Sequence, residues 1–439
     1  MAQELIIIGG GLAGSEAAWQ ASRRGLKIRL YEMRPNKLTS AHKTKFLAEL
    51  VCSNSFRSNS IYNAVGLLKE EMRMADSLIM RAADRAMLPA GSALAVQRDS
   101  FSMMITETIE GDPNIEVIRE EVKELPGDGI MGIIIIATGP LTSEAMAGEI
   151  ARLTGSEYLY FYDAISPIID AESIDMSNVF RASRYGKGGD DYLNLPMTEE
   201  QYDAFYNALI KAEKVPIRAF EEERVFEGCM PIEIMASRGK NTLRFGPMKP
   251  VGLIDPGTKR QPYAVVQLRA ENAFFTAYNI VGFQTRLKRA EQKRVFGMIP
   301  GLERAEFMRF GSLHRNTYIN SPLYLEDTLQ FKAYPNILLS GQITGVEGYV
   351  ESASMGLIAG INAYRLMNEK PLIIPPSTTA HGALIRHITL SDPKNFQPSN
   401  INFGLMPPLV ERIKDKMERC KRLSERAIMD WEQYLTSIT

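Results

Sequence analysis

A chain of 439 residues is too long for one compact core, so two or three domains with a cleft between them are expected. Lys plus Arg (51) nearly cancel Asp plus Glu (52), and 45% of residues are hydrophobic, so global charge neither demands nor excludes a nucleic-acid partner. Three cysteines without close pairing exclude a disulfide framework, and no stretch approaches the ~18 apolar residues of a membrane helix.

The N-terminus runs straight into the strand LIIIGGG with no basic leader or cleavage site, so no export signal and no membrane association are expected. With no CxxC and four histidines that lack ligand spacing, no metal site is expected. The first elements read strand, turn, helix, strand: LIIIGG, GSEAAWQASRRG, then KIRLYEM. The run IIIIATG at 133–139 has the continuous apolar character of a parallel strand covered on both faces. From 151 to about 325 aromatics, Pro and Gly increase, and segments such as TLRFG and YAVVQLR alternate as antiparallel strands do. NILLSGQ then reads as a strand and ESASMGLIAGINAYRLM as a helix. The fold class is therefore α/β: a Rossmann-like nucleotide-binding domain in two parts, 1–150 and 326–439, interrupted by an α+β insertion domain at 151–325. A last helix is expected over about 409–435, with Leu409, Ile413, Met417, Cys420, Ala427, Trp431 and Leu435 on one packed face. Seven basic residues between Arg412 and Arg426 share the rest of it with four acids, which suits a solvated face or an RNA-facing one.

Gly9-Gly10-Gly11-Leu12-Ala13-Gly14 fits GxGxxG, a weak pattern alone, since GDGIMG at 127–132 fits too but opens no helix. The first copy has the required context: a strand before it, a small-residue helix after it, and Glu32 ending the next strand, 18 residues past Gly14. The first glycine permits the turn, the second lets a pyrophosphate approach, and the third allows close helix packing. Glu32 can accept from ribose hydroxyls. The Ala137-Thr138-Gly139 turn and the distant Gly341-Gln342 resemble FAD-binding proteins of the glutathione-reductase type, although Gln342 stands where that group has Asp. A second convincing glycine motif for a nicotinamide cofactor is absent.

Two cysteines sit in polar company: Cys52 in ELVCSNSFRS and Cys229 in VFEGCMPIE. Each alone reads equally well as a structural thiol. One lies in each expected domain, which suits a shared cleft, and Arg57 or a basic residue from elsewhere in the fold could supply the positive field a reactive thiol needs.

Together GGGLAGSEAAWQASRRG, LYEMRP, ELVCSNSFRS, FEGCMPIE, LRFGPMKPVGL, SLHRNTYINSP and SGQITGVEGYVESASMG resemble the TrmFO family of folate- and FAD-dependent tRNA uracil-5-methyltransferases, within the MnmG/TrmFO flavoproteins. The resemblance spans nearly the whole chain in order. It implies a bacterial cytoplasmic enzyme with bound FAD that converts the T-loop uridine 54 of tRNA to 5-methyluridine. The carbon would come from 5,10-methylenetetrahydrofolate and the electrons from NADPH or NADH, with no obligate protein partner evident.

That chemistry needs a nucleophile at uracil C6, a base for the C5 proton and a hydride. The resemblance assigns the first two to Cys229 and Cys52. We take Cys229 as the nucleophile and Cys52 as the proton acceptor or a partner for the transferred carbon, roles that could be exchanged. It also suggests that His314 covers the pterin, where the residues alone suit a surface loop equally. For RNA, RLKRAEQKR at 286–294 and HKTK at 42–45 are local basic clusters. The competing readings are the same chemistry on rRNA, an MnmG-like wobble-uridine modification, and a non-catalytic flavin-binding RNA chaperone. A flavin disulfide reductase would need a CxxC or CxxxxC that the chain lacks.

Overall fold

The computed structural model describes residues 4–39, 41–125, 132–155, 159–186, 189–215, 230–272 and 274–438, with only the backbone of 159–165, 186 and 313–316. Apolar runs of four form the centre of a parallel sheet whose strands lie in the order Ile337–Leu339, Ile133–Ile136, Leu5–Ile8, Ile28–Tyr31, Ile115–Ile118. Leu5 stands beside Ile28 on one side and Ile133 on the other. Both faces of this sheet are covered, as continuous hydrophobic strands require. On one side lie the helices Leu12–Ser22 and Tyr349–Met367, and on the other Met146 and Ile150 of the helix Glu144–Thr154.

The helices Leu12–Ser22 and Tyr349–Met367 cross in backbone contact, which explains their small residues. A Cβ on Gly356 would lie 2.2 Å from the carbonyl oxygen of Ala13, and one on Gly360 would lie 2.5 Å from that of Ala17. The crossing brings two helix N-termini from opposite ends of the chain to the same edge of the sheet.

Between the two sequence parts of this layer stands a six-stranded antiparallel sheet, in the order Phe180–Arg181, Tyr192–Met197, Ala264–Ala270, Ala277–Ile280, Ile168–Asp170, Phe307–Arg309. Its own core joins Leu193, Leu195, Val266 and Leu268 to Tyr202, Phe205 and Leu209 of the helix Glu199–Lys211 and to Val295 and Phe296 of the helix Arg289–Phe296. The strands Leu159–Ile165 and Ser312–Tyr318 pair into an antiparallel ribbon that carries the chain in and out of this sheet.

Two local expectations are corrected. TLRFG is not a strand: Thr242–Phe245 is one short helical turn in which only Leu243 is buried, and Phe245 is 83% exposed. Four residues of alternation fit either state, and packing decides between them. The C-terminal helix spans Lys416–Ile438, shorter at its start than expected, and Met417 is 68% exposed. Its packed face is Leu423, Ala427, Trp431, Tyr434 and Ile438, so Cys420 is only half-buried and not a core residue. Pro407 and Pro408 stand just ahead of the expected start, and the residues from 409 to 415 are mostly exposed and not helical.

Candidate active site

Where the two helix N-termini meet, a cleft of about 1010 Å³ including its open mouth runs across the sheet edge. Gly9, Gly11, Leu12 and Ala13 line it together with Glu32, Arg34, His42 and Glu49 and with Thr138, Gly139, Gly341, Gln342, Tyr349 and Ser352. Each glycine of the motif has a distinct reason. Gly9 holds a positive φ of 105°, and a Cβ on Gly14 would stand 1.8 Å from the carbonyl oxygen of Gly9. A Cβ on Gly10 would strike the Leu47 side chain at 2.5 Å. At Gly11 a Cβ would meet no protein atom within 4 Å, so the space it would fill belongs to the cleft. That cradle beneath a helix N-terminus, with further backbone at Gly139 and Gly341, fits a dinucleotide such as FAD. The second glycine copy lies, apart from Gly132, outside the described residues.

Glu32 reaches the cleft, but its oxygens already accept four N–H groups, from Gly10 at 3.0 Å and from the backbone, Nε and Nη2 of Arg34 at 3.0, 3.0 and 3.1 Å. Burial alone would raise the Glu32 carboxyl, but the hydrogen bonds and charge of Arg34 outweigh it and hold it below the usual value. Arg34 is itself 2% exposed and also pairs with Glu49. A ribose hydroxyl at Glu32 would share an oxygen with these donors. Gln342 lies in the single turn Gln342–Thr344 and donates to Glu347 at 2.8 Å.

Cys52 sits beside the cleft wall. Val51 and Tyr349 line the cleft, and the Tyr349 hydroxyl accepts the N–H groups of Cys52 (2.8 Å) and Ser53 (3.1 Å). Burial first, then the nearby Cys52, raises the Tyr349 phenol. Three arginines converge on the same loop. Arg98 donates to the carbonyls of Leu50 and Cys52 and pairs with Glu271 at 2.6 Å. Arg269 donates to Asn54 and Ser53, both at 2.9 Å, and Arg309 to the carbonyl of Val51 at 2.7 Å. Burial pulls the guanidinium groups of Arg269 and Arg309 down from their usual value. Of the two expected sources of positive field, Arg57 pairs with the buried Glu351, and basic residues from elsewhere in the fold stand at the loop. These three arginines were missed because nothing in their own neighbourhoods in sequence marks them. Tyr349 lies inside a quoted motif, which was the available signal.

Cys229 lies outside the described residues. Its described flanks are anchored near each other, Val215 N–H on Arg286 and Ile232 N–H on Gln284. His314 lies in the strand Ser312–Tyr318 opposite Asp163, and its side chain is outside the described residues. The end of that strand meets both cleft turns, since Thr317 N–H bonds Pro140 and Ile319 N–H bonds Ile343.

Residues 4–371 match the family model described as glucose inhibited division protein A. The chain is 60% identical over 431 residues to the methylenetetrahydrofolate--tRNA-(uracil-5-)-methyltransferase TrmFO of Moorella thermoacetica, covering 98% of each chain. Over 439 residues it is 57% identical to the protein of that name from Geobacter sulfurreducens, covering all of both. Among solved structures, Aquifex aeolicus GidA superposes with a TM-score of 0.67 over 99% of this chain and 75% of that one, at 17% identity, a likeness of fold. The chain belongs to the glucose inhibited division protein A family and, within it, to the TrmFO group.

Proposed function

We propose that the chain is a flavoenzyme that methylates tRNA at uracil C5 with carbon from methylenetetrahydrofolate, and that its target is the T-loop uridine 54. Full-length identity of 57–60% to enzymes named for that reaction supports the reaction class. The observation that carries the mechanistic reading is the seat of Cys52, joined through Tyr349 to a dinucleotide cleft.

FAD bound in the cleft would supply the hydride that reduces the transferred carbon to a methyl group, its electrons coming from NADPH or NADH. Gly11 to Ala13 would hold the pyrophosphate with N–H groups at the helix N-terminus, and Gly341 and Gln342 would face the ribityl chain. Addition of a thiolate to C6 of the ring pushes negative charge onto O4 and makes C5 nucleophilic. C5 bonds the methylene carbon, the C5 proton leaves to a base, the carbon's bond to the folate nitrogen breaks, and the thiolate leaves C6 as hydride arrives at that carbon. We assign the addition to Cys229 and the proton transfer to Cys52, the reverse remaining the alternative. Arg98, Arg269 and Arg309 would favour negative charge beside Cys52. His314 is our candidate for the folate side of the flavin. No described helix is long and apolar enough to cross a membrane, and a cytoplasmic location, where tRNA and folate meet, goes with this reading.

The test is incubation of purified, flavin-loaded protein with unmodified tRNA, methylenetetrahydrofolate and NADPH, followed by digestion and mass detection of 5-methyluridine. Folate-dependent product in the T-loop is expected. No product from yellow protein would overturn the reading and turn attention to rRNA and wobble uridine.

A further inference from the structure

Two exposed helices carry basic runs, and among the described residues only one of them sets unpaired cations over an aromatic ring. On Lys416–Ile438, Arg422 pairs with Glu418 and Glu425, and Lys421 with Glu425. On Arg289–Phe296, Lys288 and Arg294 are also paired, with Glu213 and Glu291. Arg289 and Lys293 have no carboxylate partner among the described residues. Both stand over the ring of Phe310, at 5.6 and 5.9 Å from its centroid, and that ring is stacked at 5.0 Å on Phe307. An aromatic ring beneath a cation restricts its motion without neutralising it.

The position of this pair is fixed with respect to the candidate active site. Gln292, buried on the inner face of the same helix, clamps Gly311 by donating to its carbonyl (2.9 Å) and accepting its N–H (2.8 Å). Two residues before Gly311, Arg309 reaches the carbonyl of Val51, next to Cys52. The stretch just before the helix, Gln284 and Arg286, holds the described flanks of the segment that contains Cys229. One short helix is thus tied to the Cys52 loop at one side and to the Cys229 flanks at the other. A pair of ordered, unpaired cations there is complementary to closely spaced phosphates.

We propose that Arg289 and Lys293, held on Phe310, are the contact that seats the RNA backbone beside the target uridine. This rests on the proposed action on tRNA and adds where the tRNA is gripped. On this account Lys421 and Arg422 of the C-terminal helix, held in ion pairs, contribute little to binding.

The experiment measures binding of unmodified tRNA by the flavin-loaded protein across a salt series for wild type, a double variant Arg289→Gln, Lys293→Gln, and a control double variant Lys421→Gln, Arg422→Gln. Flavin content and the KM for methylenetetrahydrofolate are measured alongside. The expected result is a loss of about 10-fold in tRNA affinity in the first variant, with the salt slope flattened by about two, and no change in the control. Flavin content and folate KM should stay at wild-type values. An unchanged affinity and slope would overturn the proposal, as would equal losses in both variants. A raised folate KM with unchanged tRNA affinity would overturn it too, assigning the pair to the folate carboxylates. Binding is read without turnover, so protein that shows the expected loss yet makes no 5-methyluridine would sink the methylation reading and leave the RNA contact standing.

Discussion

The glycine cleft and the Cys52 loop are neighbours that share Tyr349, yet they are built in opposite ways. At the centre of the cleft stands one glycine turn, Gly9 to Gly14, whose backbone does the work, backed by a helix crossing in which side chains are nearly absent. The Cys52 loop is held by side chains from residues 98, 269, 309 and 349, contributed by four separate elements. A ligand held by backbone can be encoded locally. A site whose charge is set by side chains has to be assembled by the whole fold.

The largest expected effect breaks the cleft itself. Gly14→Ala places a Cβ 1.8 Å from a backbone oxygen, and we expect a loss of more than about 3 kcal/mol in unfolding free energy, with no flavin retained. Gly11→Ala should fold with stability within about 1 kcal/mol of wild type and still lose flavin absorbance, because its Cβ enters only the ligand's space. Equal destabilisation by both would remove the distinction between packing glycine and ligand glycine.

In the loop, Arg98→Met leaves Glu271 buried without its partner, and denaturant titration should show a loss of about 3 kcal/mol. Flavin content should fall less than methylation does, since the break lies outside the cleft.

This contrast also explains what was legible beforehand. LIIIGGG, the helix after it and Glu32 follow one another at the spacing their geometry needs, so strand, turn and helix could be read together. That Glu32 is saturated by Arg34 was not legible, because a sequence shows a carboxylate but not how many donors face it. Of the two sources open for the positive field at Cys52, Arg57 or a basic residue from elsewhere in the fold, folding turned Arg57 to Glu351 and brought in Arg98, Arg269 and Arg309. The last helix was misjudged at its start because the apolar spacing continues through 409–415, where the exposed chain has nothing to pack against.

Lys69 offers a pH test of the segment behind the loop. It is fully buried, donates to the carbonyls of Phe56 and Arg57, and is lowered to about 7, by burial first and then by Arg73 and Arg57. A lysine with a folded value below its unfolded one penalises the fold when charged. That penalty is fully present below about pH 7 and is relieved as the pH rises toward the unfolded value of 10.5. Between pH 7 and 9 the wild type should therefore gain about 2 kcal/mol relative to Lys69→Met in thermal or urea unfolding. A constant difference would show that Lys69 keeps its charge.

The smallest effect is expected from Tyr349→Phe, which deprives two N–H groups of an acceptor and should cost about 1 kcal/mol in urea unfolding. It should slow methylation while leaving flavin bound, and a loss of flavin equal to the loss of rate would merge loop and cleft into one unit.

The most direct test of the central claim compares 5-methyluridine formed per bound flavin in wild type and Cys52→Ala, at saturating tRNA, methylenetetrahydrofolate and NADPH. The account predicts undiminished flavin and a rate lower by at least about 100-fold, the scale of a lost proton-transfer group. A rate within a few-fold of wild type at equal flavin content would show that the thiol beside the cleft takes no part in the reaction.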